Sequence, residues 1–217
     1  FELYDAPIRA RKSGGGARLM ILRVLVMLMS VPLLAEAQQN RPLPAFPGAE
    51  GFGKYARGGR GGSVYAVTNL NDAGPGSLRD AVSQSDRIVV FKVSGIIELE
   101  SPLEIAQPRL TIAGQTAPGD GLCLKGSGIY IKADDVIVRY LRCRPGDEQG
   151  EAHDGLSIMG GERVIVDHCS ISWSVDEALS VSGSTTDNIT VQWCFITESL
   201  NDSVHPKGPH GMGSLLR

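Results

Sequence analysis

The sequence lacks a hydrophobic run long enough to cross a membrane, and it has no excess of basic charge. Its longest apolar stretch, residues 24–34 (VLVMLMSVPLL), is about half of the roughly 20 residues that a spanning helix needs. The 217 residues include 21 basic and 24 acidic side chains. This balance argues against a nucleic-acid-binding protein that relies on phosphate contacts. We therefore expect neither nucleic acid nor, in the mature chain, a membrane as a partner.

Cysteine is scarce, whereas glycine is abundant. The four cysteines, Cys123, Cys143, Cys169 and Cys194, do not have the spacing of a zinc site. The 27 glycines among 217 residues exceed the usual share of about 7%. Because glycine favours turns and weakens helices, this composition argues against a helical bundle.

The apolar stretch has the features of a secretory signal peptide. Met20 and Arg23 precede it, and a small-x-small cleavage pattern that ends at Ala37 follows it. The sequence thus predicts an upstream segment at 1–19, a signal peptide at 20–37 and one folded domain at 38–217. Secretion, or export to the periplasm in a bacterium, follows, and disulfides are then chemically permitted. A buried core helix at 24–34 is the alternative.

Short β-branched strands recur at intervals of 22 to 28 residues from residue 88 onward. Such a period indicates an internal repeat, and each repeat holds at least two strands. The first series comprises residues 88–90, 110–112, 136–138, 164–166 and 189–191, and the second comprises 129–131, 156–158 and 179–181. Strands that repeat in this way can stack in parallel, so the sequence predicts an all-β fold, a right-handed parallel β-helix. A β-sandwich is the structural alternative.

The repeat places several side chains at equivalent positions of neighbouring coils. The Cα atoms of Cys169 and Cys194 would be about 4.8 Å apart, so the two side chains would form either a disulfide or a stack of free thiols. If the apolar residues of 156–158 and 179–181 face inward, then Asp176, Ala178 and Ser180 face outward, with Asp154 close to Asp176. Two such carboxylates suit Ca²⁺, although both can instead be turn residues.

Two further segments carry polar side chains of interest. Asp167 and His168 are adjacent, and strand alternation predicts that they point to opposite faces and do not pair. Asp134 and Asp135 precede a strand and are expected to form a turn. In the loop at 205–211 (HPKGPHG), Lys207 is either a contact for an anionic ligand or a solvated side chain.

Five motifs in sequence order resemble the secreted pectate lyases, with the pectate lyase C group of polysaccharide lyase family 1 as the nearest match. The motifs are 45–53 (AFPGAEGFG), 58–62 (GGRGG), 67–80 (VTNLNDAGPGSLRD), 111–120 (TIAGQTAPGD) and 166–177 (VDHCSISWSVDE). The resemblance implies a right-handed parallel β-helix that cleaves polygalacturonate or pectin by Ca²⁺-dependent β-elimination. It also implies calcium ligands at Asp154, Asp176 and Ser180. The polar loop itself makes Lys207 the predicted substrate contact.

The sequence departs from the family pattern at several positions. Ala152 and Ser180 stand where better-known members carry Asp, so the ion is expected to bind mainly when substrate supplies carboxylates. The family's proton acceptor is an Arg, which is expected beyond residue 217. The chain is thus predicted to be C-terminally truncated, monomeric and, alone, inactive and poorly soluble. The functional alternatives are a polygalacturonase-type hydrolase and a non-catalytic polysaccharide-binding solenoid.

Overall fold

The computed structural model describes residues 42–217, which form a parallel β-solenoid of about five turns. One short helix, α1 (Leu78–Ala81), interrupts the strands, and 3₁₀ turns occur at Phe52–Tyr55 and Gly114–Thr116. The strands are β1 (Ser63–Val67), β2 (Arg87–Phe91), β3 (Gly95–Glu98), β4 (Leu103–Ile105), β5 (Leu110–Ala113), β6 (Leu122–Lys125), β7 (Ile129–Ile131), β8 (Val136–Arg139), β9 (Leu141–Arg144), β10 (Leu156–Ile158), β11 (Glu162–Asp167), β12 (Ser170–Ile171), β13 (Glu177–Val181), β14 (Asp187–Gln192), β15 (Phe195–Ile196) and β16 (Met212–Leu216).

Three parallel sheets run along the solenoid. Sheet 1 contains β1, β2, β5, β8, β11 and β14; sheet 2 contains β4, β7, β10, β13 and β16; sheet 3 contains β3, β6, β9, β12 and β15. Both predicted series are confirmed, as members of sheets 1 and 2. Sheet 3 was not predicted, because two of its strands have only two residues each and others carry Lys or Arg, which obscures the apolar alternation.

The predicted alignment is correct along sheet 1 except at its first step. Val89, not Val90, pairs with Ile112. Three successive β-branched residues at 88–90 gave no alternation by which to choose, whereas the structure buries Val89 fully. A slip of one residue would turn every side chain of the strand to the other face, so core packing sets this register.

The interior is filled by aliphatic side chains that stack coil on coil. Ile129, Leu156 and Leu179 pair in sequence across sheet 2, and each is at most 2% exposed. Burying such a side chain contributes about 1.5–3 kcal/mol relative to exposure. A coil therefore depends on its neighbours for most of its stability.

A column of residues in the left-handed backbone conformation marks the corner before sheet 1. Asp86, Arg109, Asp135, Arg163 and Asn188 occupy equivalent positions and have φ between 54° and 60°. Arg109 pairs with Asp86 at 2.6 Å, and Arg163 pairs with Asp135 at 2.9 Å. Alternating charges thus neutralise one another along the corner. Asp135 lies in a turn, as predicted.

The prediction that Asp167 and His168 do not pair is wrong. His168 Nδ1 lies 2.9 Å from Asp167 Oδ1. Strand β11 ends at Asp167, and His168 takes a left-handed conformation with φ of 53°, so strand alternation no longer separates the two side chains. Asp167, which is fully buried, also accepts hydrogen bonds from Arg139 Nε at 2.6 Å and Gln192 Nε2 at 2.8 Å.

The N-terminal part of the described chain packs onto the same network. The Arg139 guanidinium carbon lies 3.6 Å from the centre of the Phe46 ring. The Gln192 side chain donates to the Gly48 carbonyl and accepts from the Glu50 backbone N–H. Asp167 thus connects three successive coils with the segment that covers sheet 1.

The four cysteines are free thiols. Cys169 and Cys194 lie on neighbouring coils as predicted, and the Cys169 backbone N–H donates to Cys194 Sγ at 3.4 Å. The structure agrees with the stacked-thiol alternative for this pair.

Within residues 42–217, no helix has the length and apolarity required to span a membrane. The predicted segment 1–19 and the predicted signal peptide at 20–37 lie outside the described residues.

Candidate functional site

Three carboxylates meet where two neighbouring coils enter sheet 2. Asp154 precedes β10, and Asp176 and Glu177 lie at the start of β13. Pairing of Leu156 with Leu179 sets Asp154 opposite Glu177, whose backbone N–H donates to Asp154 Oδ1 at 3.2 Å. One oxygen from each of the three carboxylates lies within 4.8 Å of the others. The structure therefore brings together the predicted Asp154 and Asp176 and adds Glu177.

Glu177 is the acidic residue that sequence reasoning missed as a ligand. The step of 23 residues between the paired strands β10 and β13 aligns position 154 with 177 rather than 176. That offset was visible in the sequence, but Glu177 was treated only as part of a motif. Because the chain turns into the strand here, successive side chains at 176 and 177 both reach the cluster.

The cluster resists full ionisation. Partial burial, a hydrogen bond with Asp176 and the negative charges of Asp176 and Asp154 raise the pKa of Glu177 to about 7. Neighbouring carboxylates disfavour one another's charged forms, and a cation between them removes that penalty. An all-oxygen set of this kind fits Ca²⁺, which takes carboxylate and other oxygen ligands.

We expect calcium affinity to increase with pH between about 6 and 8, because Glu177 must lose its proton to act as a ligand. Without the cation, the pH dependence of folding stability has the opposite direction. The folded pKa lies above the unfolded value, so the folded state loses stability as pH rises from about 4.5 to about 7. Calorimetry across this pH range tests the first effect. Glu177→Gln should remove the pH dependence, whereas an unchanged pH profile in that variant would contradict the assignment.

Ser180 lies on β13, in register with Ser157 of the preceding coil. Its side chain is almost fully buried, and the Oγ atom has no hydrogen-bond partner. Ser157 Oγ in turn donates to Asp154 Oδ2 at 2.5 Å. Ser180 thus remains a predicted ligand. Its Oγ atom has no hydrogen-bond partner and lies on the strand next to the one that carries Ser157.

Ala178 does not face outward as predicted. It is fully buried and packs within the main hydrophobic core. The alternation that was extrapolated back from Leu179 fails at the first residues of β13, where the chain emerges from the turn that carries Asp176.

The loop between β15 and β16 brings two histidines to the same site. His205 Nε2 lies 3.6 Å from Asp176 Oδ2, and His210 Nε2 lies 3.1 Å from Asp176 Oδ1. The two rings stack with their centroids 4.0 Å apart. Lys207, the predicted substrate contact, is exposed between them in the chain. The prediction for this loop rested on its lysine alone, although two histidines five residues apart were a further signal.

Several curated proteins that are similar to this chain are named as probable or putative pectate lyases. "Probable pectate lyase C" from Emericella nidulans is 50% identical over 186 residues, which cover 85% of this chain and 42% of that protein. Its counterpart from Aspergillus fumigatus is 49% identical over 196 residues, covering 88% of this chain and 44% of that protein. "Putative pectate lyase 11" from Arabidopsis thaliana is 35% identical over 168 residues, which cover 65% of this chain and 40% of that protein. The chain spans less than half the length of these relatives.

A solved structure shares the fold. The crystal structure of jun a 1, the major allergen from cedar pollen, is similar with a TM-score of 0.57 and 26% sequence identity, covering 71% of this chain and 50% of that one. No protein-family model matches the chain. The resemblance predicted from the five motifs is nevertheless confirmed by the curated relatives: over most of its length, this chain is a homologue of the proteins named probable pectate lyase C.

Proposed function

We propose that this chain is the cation-binding and polymer-binding part of a pectate lyase that cleaves polygalacturonate by Ca²⁺-dependent β-elimination. The relatives' names support the activity and the substrate. The observation that carries the cation is the convergence of Asp154, Asp176 and Glu177 at the start of adjacent strands. Asp154 and Asp176 are the two carboxylates at the positions that the family resemblance assigns to calcium.

The chemistry of the substrate explains why a cation belongs at this site. Removing the proton at C5 of galacturonate is difficult because the adjacent carboxylate is negative. A Ca²⁺ ion held there would supply positive charge that offsets the carboxylate and makes this proton easier to remove. Asp154, Asp176 and Glu177 would hold the ion, and the buried Ser180 Oγ, which has no hydrogen-bond partner, fits a ligand role as well.

We assign Lys207 to the substrate carboxylates. Its exposed side chain belongs to the loop that contacts Asp176 through His205 and His210, so it lies in the segment that borders the cation site. Lys207→Met should raise the KM for polygalacturonate at least about tenfold, since a charge-assisted hydrogen bond contributes about 1.5–3 kcal/mol. Calcium affinity should not change. Steady-state kinetics and calorimetry measure the two quantities, and a weakened calcium affinity with an unchanged KM would contradict this role.

We also propose that the protein is secreted, on the basis of the signal-peptide pattern at 20–37. Mass spectrometry of the exported product should place the new N-terminus at Gln38.

The elimination reaction is tested with the full-length product of the gene. Polygalacturonate is incubated with calcium or with a chelator, ultraviolet absorbance follows the new double bond, and a reducing-end assay counts cuts. Absorbance that rises with calcium and is abolished by the chelator supports the proposal. Cuts without absorbance would indicate hydrolysis, and neither signal would indicate a binding solenoid; both outcomes contradict the proposal.

A further inference from the structure

The loop that brings histidines to Asp176 is anchored to the coil beneath it. Leu200 N–H donates to the Ser174 carbonyl at 2.8 Å, and Ser174 Oγ donates to Ser199 Oγ at 3.1 Å. The His205 side chain is only 3% exposed, whereas that of His210 is 18% exposed. His205 is therefore an internal part of the site.

One hydrogen bond determines which nitrogen of His205 carries the proton. The Lys207 backbone N–H donates to His205 Nδ1 at 3.1 Å. A ring nitrogen that accepts a hydrogen bond has no proton, so the neutral ring carries its proton on Nε2. That Nε2–H faces Asp176 Oδ2 at 3.6 Å, which is an electrostatic contact slightly longer than a hydrogen bond.

This arrangement argues against a transition-metal centre at the same residues. Asp176, His205 and His210 each offer an atom within 4.8 Å of the others, which is a suitable spacing for such an ion. A metal-bound histidine, however, donates its second ring N–H to an acceptor. His205 has the opposite pattern, because its Nδ1 accepts and its Nε2 already holds a proton. His205 is thus a donor towards Asp176, not a metal ligand.

We propose that His205 is a positioning residue, whose Nε2–H, fixed by the Lys207 backbone, orients the Asp176 carboxylate for cation binding. The inference rests on the proposed function in so far as Asp176 is taken as a calcium ligand. It also gives residue 207 a second role: its backbone sets the His205 ring, while its side chain faces solvent where the polymer would bind.

The protonation pattern can be observed directly. This chain has four histidines, and after ¹⁵N-histidine labelling their ring signals are assigned with single variants. At a pH where the rings are neutral, long-range ¹H–¹⁵N spectra of the full-length protein should show His205 protonated on Nε2. Its Hε2 signal should shift in Asp176→Asn, with or without calcium. Protonation of His205 on Nδ1, or an Hε2 signal that does not respond to Asp176→Asn, would overturn the inference.

Calcium affinity tests the consequence of this contact. Glutamine places an amide N–H near the position of His Nε2, whereas leucine has no donor. His205→Leu should weaken calcium binding about tenfold, the lower end of the effect of outer-shell substitutions, and His205→Gln should restore most of the affinity. His168→Asn, which keeps a donor towards Asp167 at the end of β11 and lies outside the carboxylate cluster, is the matched control with unchanged affinity.

The outcomes separate this inference from the proposed function. Equal calcium affinity in the wild-type protein and folded His205→Leu, or equal losses in the Leu and Gln variants, would overturn the positioning role while calcium binding itself stands. If the wild-type protein binds no calcium, the proposed function fails together with that role, and the spectra still decide the protonation of His205. If His205→Leu does not fold, the Gln variant and the spectra carry the test.

Discussion

Asp154→Asn is expected to weaken calcium binding about 100-fold and to abolish calcium-dependent elimination in the full-length protein. The number of charged oxygen ligands sets calcium affinity over several orders of magnitude, and this substitution removes one of three converging carboxylates. Asparagine can keep both local contacts of Asp154, accepting from the Glu177 N–H and donating to Ser157 Oγ. The loss should therefore reflect charge and ligation rather than local unfolding.

The calcium-free state provides an internal control for Asp154→Asn. The charge of Asp154 contributes to the raised pKa of Glu177, so its removal should lower that pKa towards the usual glutamate value. Thermal stability in chelator should be unchanged or higher, whereas the stabilisation by added calcium should disappear. Asp120→Asn, an exposed aspartate outside the cluster, should behave like the wild-type protein. A variant that loses stability equally with and without calcium would show that Asp154 is a structural turn residue.

Asp167→Asn should cost about 3–5 kcal/mol of unfolding free energy, because it leaves Arg139 partly buried without its counter-charge. In a protein of this size, that loss corresponds to a decrease in Tm of roughly 6–20 °C. The effect should exceed that of a surface ion pair because Asp167 accepts bonds from two neighbouring coils and from His168. Differential scanning calorimetry measures the change.

The matched control is Glu98→Gln, which breaks the 3.7 Å pair with Lys125 at a side chain that is 73% exposed. Exposed pairs contribute about 0–1 kcal/mol, so its Tm should change little. Equal effects of the two substitutions would contradict the role of Asp167 in joining the coils.

The Asp167 network also predicts a pH dependence of stability. Burial alone would raise the pKa of Asp167, but hydrogen bonds from Arg139, Gln192 and His168 outweigh it and lower the pKa. The contribution of Asp167 is therefore complete above the unfolded pKa and is lost as the pH falls through the folded one. Acid unfolding of the wild-type protein below about pH 4 should be steeper than that of Asp167→Asn.

The repeat could be predicted from sequence because β-branched triplets return at a nearly constant interval, and the coil-to-coil placement of Cys169 and Cys194 followed from it. The predicted alignment of β2 with β5 was wrong because Ile88, Val89 and Val90 are all apolar. Only packing against Ile112 selects the residue that faces inward. Alternation thus fails where successive residues of a strand are equally apolar, and it also fails where a strand begins, as at Ala178.

The candidate site was only partly predictable for the same reason. Asp154 and Asp176 were found from the repeat, but Glu177 and Ala178 lie where the chain turns into β13. His205 and His210 reach Asp176 only through the path of the loop between β15 and β16, which no local pattern encodes. The start of this loop is held by Leu200, which contacts Ser174 one coil earlier, but the path of the loop from there to Asp176 does not follow the repeat.

The solenoid gives the site its geometry. Each coil contributes one turn to the entry of sheet 2, and stacking at the spacing of parallel strands brings acidic residues of two turns together. The unfavourable repulsion among Asp154, Asp176 and Glu177 is tolerated because the strands beneath them are held by a continuous apolar core. A cation held among the three carboxylates would relieve that repulsion.

The most direct test of this account is the position of the ion itself. Crystals of the full-length protein are soaked with a lanthanide that replaces Ca²⁺, and the anomalous difference map locates it. We predict a peak at about 2.3–2.6 Å from carboxylate oxygens of Asp154, Asp176 and Glu177, without a histidine nitrogen in the coordination shell. A peak coordinated by His205 or His210, or no peak at the three carboxylates, would contradict the account.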